Sequence, residues 1–178
     1  MRAAANGFRA VIVPALLLVL VLASACGDVR SAPTQDASPE QPIAFMHTVH
    51  AGDNRIPCAY CHFSSNVSEE AGIPAVGTCM GCHRFVQGTS PEFQQEIQKL
   101  MEFWSDSTSI PWQRVHSVPE FVQFTHQPHV RAGVTCATCH GDVASMVQVE
   151  KVAPLTMGWC LNCHRDRGAP DDCATCHF

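Results

Sequence analysis

Lysine is almost absent from this chain of 178 residues, in which only Lys99 and Lys151 occur. Acidic residues outnumber basic ones, and the formal net charge is −5 at pH 7. Proteins that bind nucleic acid neutralise backbone phosphates with clustered lysine and arginine side chains. The composition therefore argues against a role in nucleic-acid binding.

Long alternations of apolar and polar residues are also lacking, whereas proline and glycine are frequent, with 12 and 11 copies. Such alternation marks half-buried strands, and Pro and Gly interrupt regular elements. We expect a body made mostly of loops with a few short α-helices. One longer helix is predicted, because Ser90, Pro91 and Glu92 form a good helix start and apolar residues follow at helical spacing to about Trp104.

Ten of the eleven cysteines stand in Cys-x-x-Cys pairs, and a histidine directly follows every pair. The pairs are Cys58 and Cys61, Cys79 and Cys82, Cys136 and Cys139, Cys160 and Cys163, and Cys173 and Cys176, followed by His62, His83, His140, His164 and His177. This is the attachment signature of c-type haem, in which two thiols add to the haem vinyl groups and the histidine binds the iron as proximal ligand. The sequence therefore predicts five covalent haem c groups.

Two other chemistries use similar spacing. Cys58, Cys61, Cys79 and Cys82 are spaced as in a zinc knuckle, and a Cys-x-x-Cys pair also forms redox-active disulfides. Neither chemistry needs a histidine directly after every second cysteine. Haem attachment is therefore the favoured interpretation.

Five histidines lie outside the motifs, which matches the number of irons that need a second, distal ligand. They are His47, His50, His116, His126 and His129. Four of them occur in two Phe-x-His-x-x-His elements, in which the histidines lie on one side of a helical turn but point to different places. We expect each pair to serve two different haems, with His116 as the ligand outside the elements and bis-histidine coordination throughout.

Methionine is the competing distal ligand and would raise the reduction potential of its haem. The candidates share no fixed offset from the motifs, and single methionines usually fill gaps in apolar packing. They are Met46, Met80, Met101, Met146 and Met157. With two histidines on every iron there is no open position for a substrate, so we expect an electron-transfer protein and not an enzyme.

The motif order predicts an internal duplication. Residues 45–84 and residues 124–165 each contain a Phe-x-His-x-x-His element, one motif, and a second motif preceded by glycine and followed by arginine. The expected architecture is a duplicated diheme module with a fifth haem at residues 173–177. So small a body has few side chains per haem, and we expect the porphyrins to form much of its apolar interior.

The first 26 residues are predicted to be an export signal, with Arg2 and Arg9 before and beside an apolar run that ends in small residues. Residues 22–26, Leu-Ala-Ser-Ala-Cys, resemble a bacterial lipobox, which would make Cys26 a lipid-modified N-terminus. Ordinary signal cleavage and retention as a short membrane anchor are the alternatives. Two of these three outcomes attach the protein to a membrane.

Two regions follow the signal. Residues 27–42 are rich in Ser, Pro, Asp and Gln and predict a disordered tether. Residues 43–178 contain all five motifs and are predicted to form the haem-binding domain.

The Phe-x-His-x-x-His elements followed by Cys-x-x-Cys-His resemble the class III and c7-type multihaem cytochromes, a c3/c7-like fold class of short helices and loops wrapped around haems. Over residues 43–178 the chain resembles more specifically the pentahaem subunit of alternative complex III. The stretches that carry this likeness are residues 111–116, 121–129, 136–141, 157–160 and 173–178. The usual subunit of that family has a transmembrane anchor, from which the lipobox-like sequence differs.

The resemblance implies a location and partners. In that family the subunit lies on the periplasmic side of the bacterial inner membrane, beside an iron-sulfur subunit and polytopic quinone-binding subunits. It relays electrons from quinol oxidation to a cytochrome c or an oxidase. We therefore expect an exported, membrane-anchored electron-transfer subunit. The alternatives are a free-standing periplasmic or surface electron shuttle and a haem-dependent small-molecule reductase.

Overall fold

The computed structural model of the chain describes residues 38–178. The predicted export signal, Cys26 and most of the predicted tether lie outside the described residues. The last part of that tether, residues 38–42, is bonded to the folded body. The side chain of Gln41 accepts from the backbone N–H of Gln113 at 2.9 Å and donates to its carbonyl at 3.0 Å. Ordered contacts thus begin ahead of the predicted domain boundary at residue 43.

Short helical segments make up the regular structure of this part of the chain. In order they are the π-helical turn Thr48–Asp53, α1 (Cys58–Cys61), the 3₁₀ turn Phe63–Asn66, α2 (Val76–His83), α3 (Pro91–Ser105), α4 (His126–Arg131), α5 (Ala137–His140), the 3₁₀ turn Val143–Ser145, α6 (Met157–Arg167) and α7 (Cys173–Cys176). Between residues 38 and 178 no strand forms, and a single antiparallel bridge joins Val122 to His177. The predicted helical body without strands is confirmed.

The longest helix, α3, begins as its sequence predicts. The hydroxyl of Ser90 accepts a hydrogen bond from the backbone N–H of Phe93 at 3.3 Å, and Pro91 occupies the first helical position. This cap satisfies one of the N–H groups that a helix start leaves without a partner. The helix predicted to reach about Trp104 ends at Ser105 and is confirmed.

Each of the five motifs places its cysteines on one helical turn. Helices α1 and α7 consist of little more than the Cys-x-x-Cys segment, and α2 and α6 contain whole motifs. Cys136 has helical backbone angles and directly precedes α5. Residues three apart on a helix lie on the same side, so both sulfurs of a motif point in one direction.

The apolar core is small. Four of the five buried side chains form one cluster between α2 and α3, namely Ile43, Met80, Leu100 and Ile110. None of the described side chains is fully enclosed. A body of this size that folded on side chains alone would need a larger core. The described side chains therefore supply only a small apolar interior for a body of this size.

Two contacts join the half of the body that holds the first and second motifs to the half that holds the other three. They are reciprocal, because each uses a turn that follows a motif of one half and a histidine-bearing element of the other. The π-helical turn Thr48–Asp53 packs against the 3₁₀ turn Val143–Ser145, which follows the third motif. Helix α4 packs against the 3₁₀ turn Phe63–Asn66, which follows the first motif. A Cβ atom on Gly52 would lie 2.7 Å from the carbonyl oxygen of Ala144, so glycine is required at this approach.

None of the helices between residues 38 and 178 is both long and apolar enough to cross a lipid bilayer.

Candidate haem centres

Three pairs of imidazole rings have nearly the same distance between their ring centres. Each pair contains one motif histidine and one other histidine. The ring centres of His50 and His83 are 6.0 Å apart, and those of His129 and His164 are 5.9 Å apart. Two imidazoles bound to opposite sides of one metal, with bonds of about 2 Å, have ring centres about 6 Å apart. Both pairs therefore have the spacing of axial ligands to a single iron.

The same spacing occurs a third time. The rings of His126 and His140 have centres 6.2 Å apart and planes only 10° apart. Helix α4 thus presents its two histidines, His126 and His129, to two different motifs. That the two histidines of one Phe-x-His-x-x-His element serve different haems stays a prediction, which this arrangement supports.

Hydrogen bonds orient seven of the ten histidine rings, because Nδ1 of each lies within bonding distance of a backbone carbonyl. The seven are His50, His62, His83, His126, His129, His164 and His177. When Nδ1–H donates to a carbonyl, the lone pair of Nε2 is free to bind a metal. The donor set therefore fits haem iron.

The two Phe-x-His-x-x-His elements share this local geometry. His50 Nδ1 lies 3.0 Å from the carbonyl oxygen of Met46, and His129 Nδ1 lies 2.8 Å from that of Thr125, each four residues back. The phenylalanine of each element packs on the second histidine: the ring centres of Phe45 and His50 are 4.3 Å apart. In the second element the corresponding distance is 4.9 Å. The repeated phenylalanine was visible in the sequence, but its role as a support for the imidazole was not predicted.

His47 lies in the half-buried interior close to the first motif. Burial, with smaller contributions from the neighbouring His62 and His50, lowers the pKa of His47 to about 4. The ring is therefore neutral at pH 7, the form that binds metals. Its Nδ1 atom is buried without a hydrogen-bond partner in the described structure. His62 is the motif histidine that lies near His47. Among the described residues the two rings do not show the 6 Å spacing of the other three pairs, so this pairing is supported by proximity alone.

His116 lies beside the third motif and not beside the fifth. Its ring centre is 4.4 Å from that of His140, in an edge-to-face arrangement, and its Nε2 atom is buried without a partner in the part of the chain described. The aromatic ring next to His177 is Phe121, at 5.8 Å. The structure thus does not bring His116 and His177 together, and the role of His116 as a distal ligand stays a prediction.

His140 is a half-buried motif histidine with other imidazoles close to it. Burial lowers its pKa to about 4, with smaller contributions from His116, His126 and His62. It is neutral at pH 7 for the same reason as His47. The imidazoles of His62, His116 and His126 thus lie near His140 of the third motif.

Two of the competing methionines belong to the core. Met80 is 3% exposed and lies within the buried cluster, and Met101 packs against that cluster. Both fill the space between α2 and α3, the common role of methionine in apolar packing.

Thiols of different motifs are neighbours in the first half of the body. Burial raises the pKa of Cys61, and the nearby Cys58 and Cys82 raise it further. Burial also raises the pKa of Cys136, and the nearby Cys58 raises it further. Thiols of the first motif thus have neighbours in both the second and the third motif.

The second half of the body continues this series. The pKa of Cys139 is raised by burial and then by Cys163 and Cys160, which belong to the fourth motif. The pKa of Cys160 is raised by burial and then by Cys176 of the fifth motif. Among the described residues the motif cysteines form no disulfide, and no group of three or more His, Cys, Asp or Glu side chains is gathered as for a bare metal ion.

Large apolar side chains are exposed directly beside the motif histidines. Phe63 follows His62 and is 65% exposed, Phe85 lies two residues after His83 at 80%, and the terminal Phe178 is 88% exposed. Apolar surface grouped in this way usually contacts a partner or ligand. A porphyrin face beside each histidine would cover it, which is a second fit between these residues and haem.

Comparison with known proteins agrees with this geometry. Residues 122–178 match the family model for cytochrome c7 and related cytochrome c. This part of the chain, which contains the third, fourth and fifth motifs, is thus similar to c7-type multihaem cytochromes.

A relative is the multihaem cytochrome c subunit of menaquinone reductase from Nitratidesulfovibrio vulgaris strain Hildenborough. It is 32% identical to this chain over 115 residues, which cover 59% of this chain and 53% of the relative. The chain thus spans about half the length of that relative.

Proposed function

We propose that the chain binds five haems c and transfers electrons. The observation that carries this proposal is the set of imidazole pairs about 6 Å apart, each joining one motif histidine to another histidine. A covalently bound haem c supplies one-electron chemistry at its iron. The ten motif cysteines hold the groups, and the motif histidines with His47, His50, His116, His126 and His129 serve as axial ligands.

The contribution of the chain is to fix these ligands. Backbone carbonyls accept from Nδ1–H and so hold each imidazole in one tautomer and one orientation. The phenylalanines of the two elements pack on the same rings and limit their rotation. Rigid ligation of this kind keeps the geometry similar in both oxidation states, which favours rapid electron exchange.

The proposed architecture is two diheme modules followed by a fifth haem. It is supported by the matched hydrogen bonds of His50 and His129 and by the reciprocal packing of the two halves. The fifth motif is joined to the second module through the bridge between Val122 and His177 and the hydrogen bond from Gln123 N–H to the carbonyl of Cys176 at 2.8 Å.

The proposed setting is the periplasmic side of a bacterial inner membrane. There the protein would be anchored through Cys26 or a retained helix and would work beside iron-sulfur and polytopic quinone-binding subunits. In this first candidate it relays electrons from a quinol-oxidising complex like alternative complex III to a cytochrome c or an oxidase. The resemblance of residues 43–178 to the pentahaem subunit of that complex supports the candidate.

A second candidate reverses the direction of flow. The relative is named as a subunit of a menaquinone reductase, and this favours electron delivery toward quinone. Both candidates place the quinone site on a partner subunit. They differ in which redox couple reduces the haems.

The mass of the mature protein tests the cofactor and the anchor together. Five covalent haems, absence of residues 1–25 and an added diacylglycerol are expected. Fewer than five haems would contradict the proposed ligation. The visible spectrum of the same sample is expected to show only low-spin haem. A high-spin component would favour the alternative of a haem-dependent small-molecule reductase.

Purification from gently solubilised membranes tests the partners. Co-purification with polytopic and iron-sulfur subunits is expected, whereas a monomer in the soluble fraction would favour the free-standing shuttle. In the purified complex, haem reduction by added menaquinol supports the first candidate. Haem oxidation by added menaquinone, with no reduction by menaquinol, supports the second.

A further inference from the structure

We propose that the five haem-attachment motifs lie in one unbranched row in the order second, first, third, fourth, fifth. This order rests on the proposed haem ligation and differs from the order of the motifs in the sequence. It makes the second and the fifth motifs the two ends of the row.

Within each half, one short element links two motifs. Helix α4 directs His126 to His140 of the third motif and His129 to His164 of the fourth, so these motifs are neighbours. In the first half, the ring of His50 is paired with that of His83 of the second motif, and the carbonyl of His50 accepts from the backbone N–H of Ile56 at 3.0 Å, two residues before the first motif. The first and second motifs are neighbours for the same reason.

The contacts between the halves decide which motifs meet in the middle. The 3₁₀ turn Phe63–Asn66, just after the first motif, packs on α4, and the 3₁₀ turn Val143–Ser145, just after the third motif, packs on the π-helical turn Thr48–Asp53. Each central motif thus contacts the ligand-bearing element of the other half.

Backbone hydrogen bonds repeat this reciprocity. Beyond the first motif, the carbonyl of Glu69 accepts from the backbone N–H of His126 at 2.8 Å. Beyond the third motif, the carbonyl of Met146 accepts from the backbone N–H of Thr48 at 3.3 Å. Cys58 and Cys136, one from each of these motifs, are also electrostatic neighbours. The first and third motifs therefore form the centre of the row.

The fifth motif extends the row beyond the fourth. The segment that joins them folds back on the end of α6, where Nδ1 of His164 bonds to the carbonyl of Pro170 and the side chain of Arg165 bonds to Asp171 at 3.0 Å. The thiols of Cys160 and Cys176 are neighbours. At the other end of the row, helix α2, which holds the second motif, packs mainly against α3, a helix without a haem motif.

The functional consequence concerns the partners. An electron that crosses the whole protein must pass the central pair, and the two redox partners would contact opposite ends, near His83 and near His177.

The positions of the irons in the holoprotein test the order. Anomalous scattering at the iron edge locates the five irons in a crystal, and the thioether bonds identify each haem. The four shortest iron–iron distances are expected between haems two and one, one and three, three and four, and four and five. A fifth iron closer to the third than to the fourth, or a first and third iron that are not neighbours, would overturn the order. Fewer than five irons would instead refute the proposed function.

A matched pair of variants tests the order in solution. His50→Ala and His129→Ala remove histidines at equivalent positions of the two elements, and each leaves one high-spin ferric iron. A high-spin iron broadens the proton resonances of adjacent haems. His50→Ala, at an end of the row, is expected to broaden the methyl resonances of one other haem, whereas His129→Ala, at an inner position, is expected to broaden those of two.

Equal numbers of broadened haems in the two variants would contradict the row. The haem content of both variants, measured by mass, must remain five for the comparison. If either variant loses haem, the iron positions in the unmodified holoprotein decide the question alone.

Discussion

The ring planes of His126 and His140 are almost parallel, 10° apart, at a separation of 6.2 Å. The carbonyl of Glu69, from the other half of the body, fixes this arrangement by accepting from Nδ1 of His126 at 2.9 Å. The ligand geometry of the second module thus depends on a backbone atom of the first. The two halves are thus joined at a candidate haem ligand, His126.

Replacement of His116 tests the fifth distal ligand. His116→Ala is expected to leave five haems attached, because the thioether bonds do not involve this residue, and to convert one iron to high spin. Electron paramagnetic resonance of the oxidised protein measures the change, with Ser117→Ala as the neighbouring control. If every iron stays low-spin, the fifth iron has a different ligand, which the position of His116 beside His140 would then explain.

The approach of the two halves at Gly52 gives a second prediction. In Gly52→Ala the added methyl group would meet the carbonyl of Ala144 at 2.7 Å, so the backbone must shift. Overpacking of this kind costs about 1–3 kcal/mol of unfolding free energy. Chemical denaturation of the holoprotein measures it. The control is Gly158→Ala, where a Cβ atom meets nothing within 4 Å of protein; equal effects in the two variants would contradict the close approach.

The sequence predicts the ligands better than their arrangement. The spacing of Cys58, Cys61 and His62 specifies a local chemistry that needs only one helical turn, and for that reason the motifs could be identified without a structure. The start of α3 at Ser90 is equally local. The meeting of Cys58 with Cys136 depends on packing between distant segments, for which a single sequence contains no periodic signal.

The backbone partners of the histidines were also beyond prediction. Nδ1 of His62, for example, lies 2.6 Å from the backbone carbonyl oxygen of Gly72. Because every residue has a backbone carbonyl, the sequence does not indicate which one will be the partner. The position of residues 38–42 is a related case. Their polar composition predicts disorder, yet the side chain of Gln41 makes two hydrogen bonds to the backbone of Gln113.

The cap of α3 allows a stability prediction at a residue outside the haem-attachment motifs. Ser90→Ala removes the acceptor for the N–H of Phe93 and is expected to lower the free energy of unfolding by about 1 kcal/mol. Denaturant unfolding of the holoprotein measures this. Ser68→Ala, at an exposed position, is the control, and a Ser90→Thr variant should recover most of the loss. No difference between Ser90→Ala and the control would show that the cap does not contribute.

The anchor has its own test, which concerns a residue outside the described structure. Cys26→Ser is expected to abolish lipid attachment, because lipid transfer requires the thiol, and to move the protein into the soluble fraction after membranes are washed at high pH. Ser24→Ala is the control. A Cys26→Ser protein that resists the wash would support a retained helix, and an unlipidated, soluble protein without the substitution would support ordinary cleavage.

The small buried cluster around Met80 and Leu100 has a consequence for biogenesis. With so few enclosed side chains, a polypeptide without the proposed haems would have little to collapse around after the expected export. Chains that miss a maturation step would remain open and accessible to proteases of the cell envelope. The amount of this protein in a cell should then follow the capacity of the haem ligation machinery and not the rate of its own synthesis.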